Sequence, residues 1–124
     1  MANPIVHFEI AAKDAERLRA FYASVFDWPI NADNPMNYAV ASTKEGDLGI
    51  DGGFYEVGDE SDRPGVRIYA QVENLDATLQ KAADAGGTIV NPGFDMPAVG
   101  IRIGAFLDPE GNFFGAVQPI PQGG

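Results

Sequence analysis

His7 and Glu9 stand two residues apart near the start of the chain, and Arg67 and Tyr69 stand two apart 60 residues later. On a strand, side chains two apart share a face. The four together offer an imidazole whose ordinary pKa near 6.5 suits proton transfer, a carboxylate, a permanently charged guanidinium able to hold a carboxylate or enolate oxygen, and a phenol. Each also has a purely architectural reading. Arg67 can neutralise Glu9 on the same face, Tyr69 can pack with its hydroxyl bonded locally, and His7, the single histidine, can be a strand hydrogen-bonder.

The surrounding residues say what would position them. Val6, Phe8 and Ile10 alternate with His7 and Glu9, as Val66, Ile68, Ala70 and Val72 alternate with Arg67, Tyr69 and Gln71, the period-two pattern of strands with one apolar face. The two strands open an internal repeat. VHFEIAAKDAERLRAFYASVFDWPIN, residues 6–31, lies over VRIYAQVENLDATLQKAADAGGTIVN, residues 66–91, without a gap. Asp14 and Asn74 are placed to cap helices. Leu18, Phe21, Tyr22, Val25 and Phe26 form one apolar stripe and Leu75, Leu79, Ala82 and Ala83 another, each at helical spacing. Gly86-Gly87 reads as the end of the second helix.

Three more strands follow each helix, near 29–32, 37–43 and 48–53 and near 88–91, 100–107 and 112–118. The turns KEGD (44–47) and PEGN (109–112) align, leaving extra residues in a loop NPGFDMPAVG. The acidic, glycine-bearing FYEVGDESDRPG, residues 54–65, reads as a linker. Phe54, Tyr55 and Met96 are then loop candidates for a pocket lid, while Phe21, Tyr22, Phe26 and Trp28 belong in the core. The tail PIPQGG is expected to fray. The pattern predicts an α+β fold: a single domain over residues 1–124 made of two βαβββ repeats, about 5–53 and 65–118, sharing one core. His7, Glu9, Arg67 and Tyr69 project from the face opposite the helices.

Composition narrows the partners. Eighteen acidic residues against eight basic give a formal charge of -10, which repels phosphate backbones and anionic lipid at long range; nucleic acid and membrane are not expected partners. There is no cysteine, so thiolate chemistry and disulfides are excluded. No apolar run reaches the roughly 18 residues of a membrane span, and MANPIVHFEI lacks signal-peptide character; a cytoplasmic location is expected. Phosphate-cradling glycine motifs and HExxH are absent, and Ser24, Ser42 and Ser61 sit in no nucleophile elbow.

VHFEIAAKDAERLRAFYASVFDW and the distal DPEGNFFGAVQ, set in this repeat, resemble the vicinal oxygen chelate superfamily. That group contains glyoxalase I, extradiol dioxygenases, methylmalonyl-CoA epimerase and bleomycin-resistance proteins. DPEGN followed by Phe-Gly is most similar to its glyoxalase-like branch. The resemblance implies paired βαβββ modules, a curved mixed sheet around a cavity, helices on the outer face, and a homodimer. It also implies where metal-using members hold an ion: on the first and last strands of each module, at His7, Arg67, Ile50 and Gly115 in this chain.

Those positions suit a dication badly. One imidazole is a single donor, isoleucine and glycine side chains have none, and a guanidinium repels the ion. By strand alternation Asp51 would point away from the cavity if Ile50 points in. A metal-independent small-molecule-binding protein is therefore expected, without a cofactor, its ligand contacted by His7, Glu9, Ile50, Arg67, Tyr69 and Gly115. Gly115 would leave room for ligand or for a neighbouring side chain. The alternative is a glyoxalase-type lyase, isomerase or dioxygenase with relocated or absent metal ligands, in which His7 as base and Arg67 as enolate stabiliser are the catalytic candidates.

Overall fold

Alternation, caps and turn residues produce the expected order of elements. The structure is a computed structural model describing residues 2–33, 38–58 and 64–120. The last four residues of the tail and residues 59–63 of the expected linker lie outside this range. The first βαβββ module comprises β1 (Ile5–Ala12), α1 (Ala15–Phe26), β2 (Ile30–Asn31), β3 (Ala39–Ala41) and β4 (Gly52–Glu56). The second comprises β5 (Gly65–Gln71), α2 (Leu75–Asp84), β6 (Thr88–Met96), β7 (Ile101–Leu107) and β8 (Phe113–Pro119). The class is α+β. By contact density the chain forms two compact units, His7–Arg67 and Ile68–Gly124 with the first six residues.

In the first unit β1 runs parallel to β4, and β3 pairs antiparallel with both β4 and β2. Asp14 starts α1 by accepting a hydrogen bond from the Arg17 N–H at 3.1 Å. The helix stops at Asp27, which takes a left-handed conformation (φ 59°) and donates its N–H to the Ala23 carbonyl. Ile10, Ala39, Ala41 and Phe54 form the buried core, with Phe8, Leu18, Tyr22 and Trp28 packed against it. Tyr22 stacks on Trp28 at 5.7 Å between ring centroids.

Two sequence expectations change here. Phe21 and Phe26, expected in the core, are 57% and 55% exposed. At about 100° per residue the apolar stripe of α1 is about 140° wide, and the core takes only Leu18 and Tyr22 from it. Phe54 and Tyr55, expected as loop residues of a lid, belong to β4, and Phe54 is 1% exposed at the centre of the core.

In the second unit the order is β5-β8-β7-β6, with β5 parallel to β8 and the others antiparallel. Asn74 caps α2 by accepting from the Ala77 N–H. Past the helix Gly86 takes a left-handed φ of 103°, and the Gly87 N–H returns to the Ala82 carbonyl at 2.8 Å, as the Gly-Gly pair predicts. Val72, Leu75, Leu79 and Ala116 form a second buried cluster. Each unit thus has a buried cluster of its own, with each helix covering strands of its own unit.

The extra residues of the second repeat do not make a loop. β6 runs through Pro92 and Gly93 to Met96, with register shifts between Ile89 and Asn91 and between Asn91 and Phe94. As the last strand of its unit's order, β6 absorbs the insertion as bulges, where proline and glycine are tolerated. Among the described residues no helix is long and apolar enough to cross a membrane.

Candidate functional site

β1 carries out the expected alternation. Phe8 and Ile10 pack with the core of the first unit, so His7 and Glu9 occupy the opposite face, both partly buried. Their common partner is Tyr38, which the sequence reading did not single out. Its hydroxyl lies 2.9 Å from His7 Nε2 and 3.1 Å from Glu9 Oε2. A carboxylate only accepts, so the phenolic proton goes to Glu9. Nε2–H of a neutral His7 then donates to the phenolic oxygen, and Nδ1 carries the basic lone pair.

Arg67 completes the group. Its Nη1 lies 3.8 Å from Glu9 Oε1, with the two side chains 13% and 14% exposed, and its guanidinium stands 5.6 Å from the centre of the Tyr55 ring. Both the ion pair and the cation–π contact act in a largely desolvated setting, where each is stronger than at a surface. Of the residues expected to contact ligand, His7, Glu9 and Arg67 are thus joined in one network.

The other three are placed differently. Ile50 is partly buried in the segment before β4, its carbonyl accepting from the Thr43 hydroxyl. Asp51 accepts from the Thr43 and Lys44 N–H groups at 3.0 and 3.1 Å, which closes this loop. β4 starts after it, and the strand pairings set Gly53 opposite Glu9 and Gly115 opposite Tyr69. Gly53, not Ile50, is therefore the counterpart of Gly115 in the repeat.

Both glycines lie under an aromatic ring. A methyl group on Gly53 would overlap the ring of Tyr38, and one on Gly115 would overlap the ring of Tyr69. Tyr69, 5% exposed, fills the room beside Gly115 in the second unit. β5 also departs from its expected alternation. Val66, assigned to the face under the second helix, is 66% exposed and lies beside α1 instead.

Electrostatics bear on His7 in opposite directions. Burial lowers its pKa below 6.5, and the Glu9 and Asp51 charges only partly offset this. The folded chain therefore binds fewer protons at His7 than the unfolded chain does as pH falls through 6.5, and stability is lost in that window. In denaturant titrations at about pH 7.5 and about pH 5.5, wild type is expected to lose more stability on acidification than His7→Gln. Equal losses would show that His7 is not held neutral by burial.

The turn Asp108-Pro109-Glu110-Gly111-Asn112 does structural work. Asp108 Oδ1 accepts from the Glu110 and Asn112 N–H groups at 2.9 Å each, and the Asn112 amide reaches both carboxylate oxygens. These bonds, with Asn112 foremost, lower the Asp108 pKa. Glu110 is exposed in the turn.

The metal site implied by the sequence resemblance invites a test of the donors. Among the described residues, no three His, Asp or Glu side chains converge. At the strand positions in question the side chains are one imidazole, one guanidinium and two glycines. The residues present do not fit a dication.

Residues 7–117 match the model of the glyoxalase-like domain family, and the chain belongs to that family. A protein of Mycobacterium bovis named as a glyoxylase, CFP32, is 38% identical over 91 residues, 70% of this chain. The match covers 32% of that protein, so the chain spans about a third of its length. A glyoxylase-like domain-containing protein of Didymella fabae is 31% identical over 84% of each chain. Methylmalonyl-CoA epimerase of Mycobacterium tuberculosis shares the fold with a TM-score of 0.68, at 18% identity over 95% of this chain and 89% of its own.

Proposed function

We propose that this glyoxalase-like domain is a metal-independent small-molecule-binding protein, with the network of His7, Glu9, Tyr38 and Arg67 as its polar contact surface. The observation that carries the reading is the paired replacement at Gly53 and Gly115. Neither position has a donor atom, and an aromatic ring covers each. Ile50 remains a ligand contact in this proposal, and Tyr69 with Gly115 is kept as a ligand-contacting aromatic surface of the second unit. The homodimer implied by the family resemblance is part of the same reading, as is a cytoplasmic location.

Arg67 sets the ligand class. A guanidinium already shared with one carboxylate, flanked by an aromatic face, suits a planar oxygen-bearing anion such as a carboxylate or enolate. The test is a thermal-shift screen of small organic acids with chelator present throughout. A ligand present at about 100 times its Kd adds about 2.7 kcal/mol, which raises the Tm by several degrees. The expected result is stabilisation that persists with chelator and is lost in Arg67→Met. Stabilisation seen only after adding a divalent metal would refute the proposal.

A second reading has its own support. Burial keeps His7 neutral near pH 7, and the Tyr38 bond leaves Nδ1 as its basic nitrogen. His7 could then remove a proton alpha to a carbonyl while Arg67 holds the enolate oxygen, as a metal-free lyase or isomerase requires. Turnover abolished by His7→Ala would favour this reading over binding alone.

A further inference from the structure

On the opposite face of β1 from His7, the first unit holds an open groove of about 520 Å³ between α1 and the start of β5. Its volume falls within the usual range for small-molecule sites. Ile10, Leu18, Phe21 and Val66 line it, together with Lys13 and Arg17 at the N-terminal end of α1. Phe21 and Val66 are among the most exposed large apolar side chains described. Asp14, also in the lining, is committed to the Arg17 N–H as the helix cap, and Glu56 accepts from the Ala15 N–H at the same helix end. Neither Lys13 nor Arg17 enters an ion pair among the described residues.

This arrangement runs against the rest of the molecule. Of eight basic residues in a chain of formal charge -10, two border the same apolar hollow. An apolar floor with cations at one end matches a ligand with an apolar body and an anionic head. From Ala15, the first residue of α1, to Phe21 the helix rises about 9 Å, comparable to a medium-length alkyl chain. We infer that this groove is a second binding site, distinct from the His7 network, and that it takes an amphipathic monocarboxylate. The alkyl chain lies along Leu18, Phe21 and Val66, and the carboxylate meets Lys13 and Arg17.

Decanoate is the probe, titrated calorimetrically below its micellar concentration. Wild type is expected to bind it saturably, with affinity that falls as salt rises. Val66→Asp, which places a charge at an exposed position, and the double variant Lys13→Glu with Arg17→Glu should each raise the Kd about tenfold or more. Lys81→Glu makes the same kind of charge change on α2 and should stay within about twofold. Circular dichroism confirms that each variant folds.

Decanoate binding that is unaffected by both groove variants would overturn the inference, as would equal affinity for decyltrimethylammonium. Light scattering supplies a further arm. A wild-type dimer that binds no decanoate and becomes a monomer in Val66→Asp would assign the groove to contact between copies of the chain, and would equally overturn it.

Discussion

Gly115→Glu puts a carboxylate at one of the positions where the family resemblance implies a metal ligand, and it is expected to cost about 2–4 kcal/mol of stability without creating metal affinity. Tyr69 occupies the volume in which the new side chain would have to begin. The choice is between displacing a ring that is 5% exposed and bending the β5–β8 pair, and both are overpacking penalties. The carboxylate would then be buried against the Tyr69 ring, and one carboxylate alone does not hold a dication. Denaturant unfolding with and without zinc measures both effects. A stable variant that gains zinc-dependent stabilisation would show that the Tyr69 ring yields easily and that the remaining ligands are closer to complete than their chemistry suggests.

Phe54→Ala is expected to cost about 3–5 kcal/mol, enough to unfold a marginal domain. Phe54 packs among Ile10, Ala39 and Ala41 and lies 5.8 Å from the Tyr22 ring, so truncation leaves a cavity in the core of the first unit. Were Phe54 a lid, the same change would leave stability within about 0.5 kcal/mol of wild type and alter ligand affinity alone. Chemical denaturation separates the two outcomes.

The misplacement of Phe54 shows where sequence reasoning reached its limit. Alternation in β1, the caps Asp14 and Asn74, and the glycine pair after α2 each act within a few residues, and each was legible. The register of β4 was not. Aligning KEGD with PEGN treated two turns as equivalent, but KEGD closes only a short bridge between Glu45 and Leu48, whereas PEGN joins β7 directly to β8. β4 therefore begins later than the alignment places it. Phe54 and Tyr55 move from linker to strand, and Gly53 replaces Ile50 as the partner of Gly115.

The site was half legible for the same reason. His7, Glu9 and Arg67 followed from period two along single strands, but Tyr38 reaches His7 and Glu9 from a distant segment, and no local pattern encodes that contact. One signal was available. A glycine doublet within a strand marks the close approach of other groups, and Gly52-Gly53 accommodates the rings of Phe8 and Tyr38. On β5 the opposite error arose: strict alternation placed Val66 beneath α2, although the open flank of α1 is its neighbour.

Whether a dication binds beside His7 decides the matter most directly. Calorimetric titration of wild type and His7→Ala with zinc and with nickel isolates the contribution of that imidazole. A donor set of one histidine predicts the same weak, unsaturable heats for both proteins. Stoichiometric binding to wild type that disappears in His7→Ala would mean that an ion is held there after all, and that metal chemistry belongs to this domain.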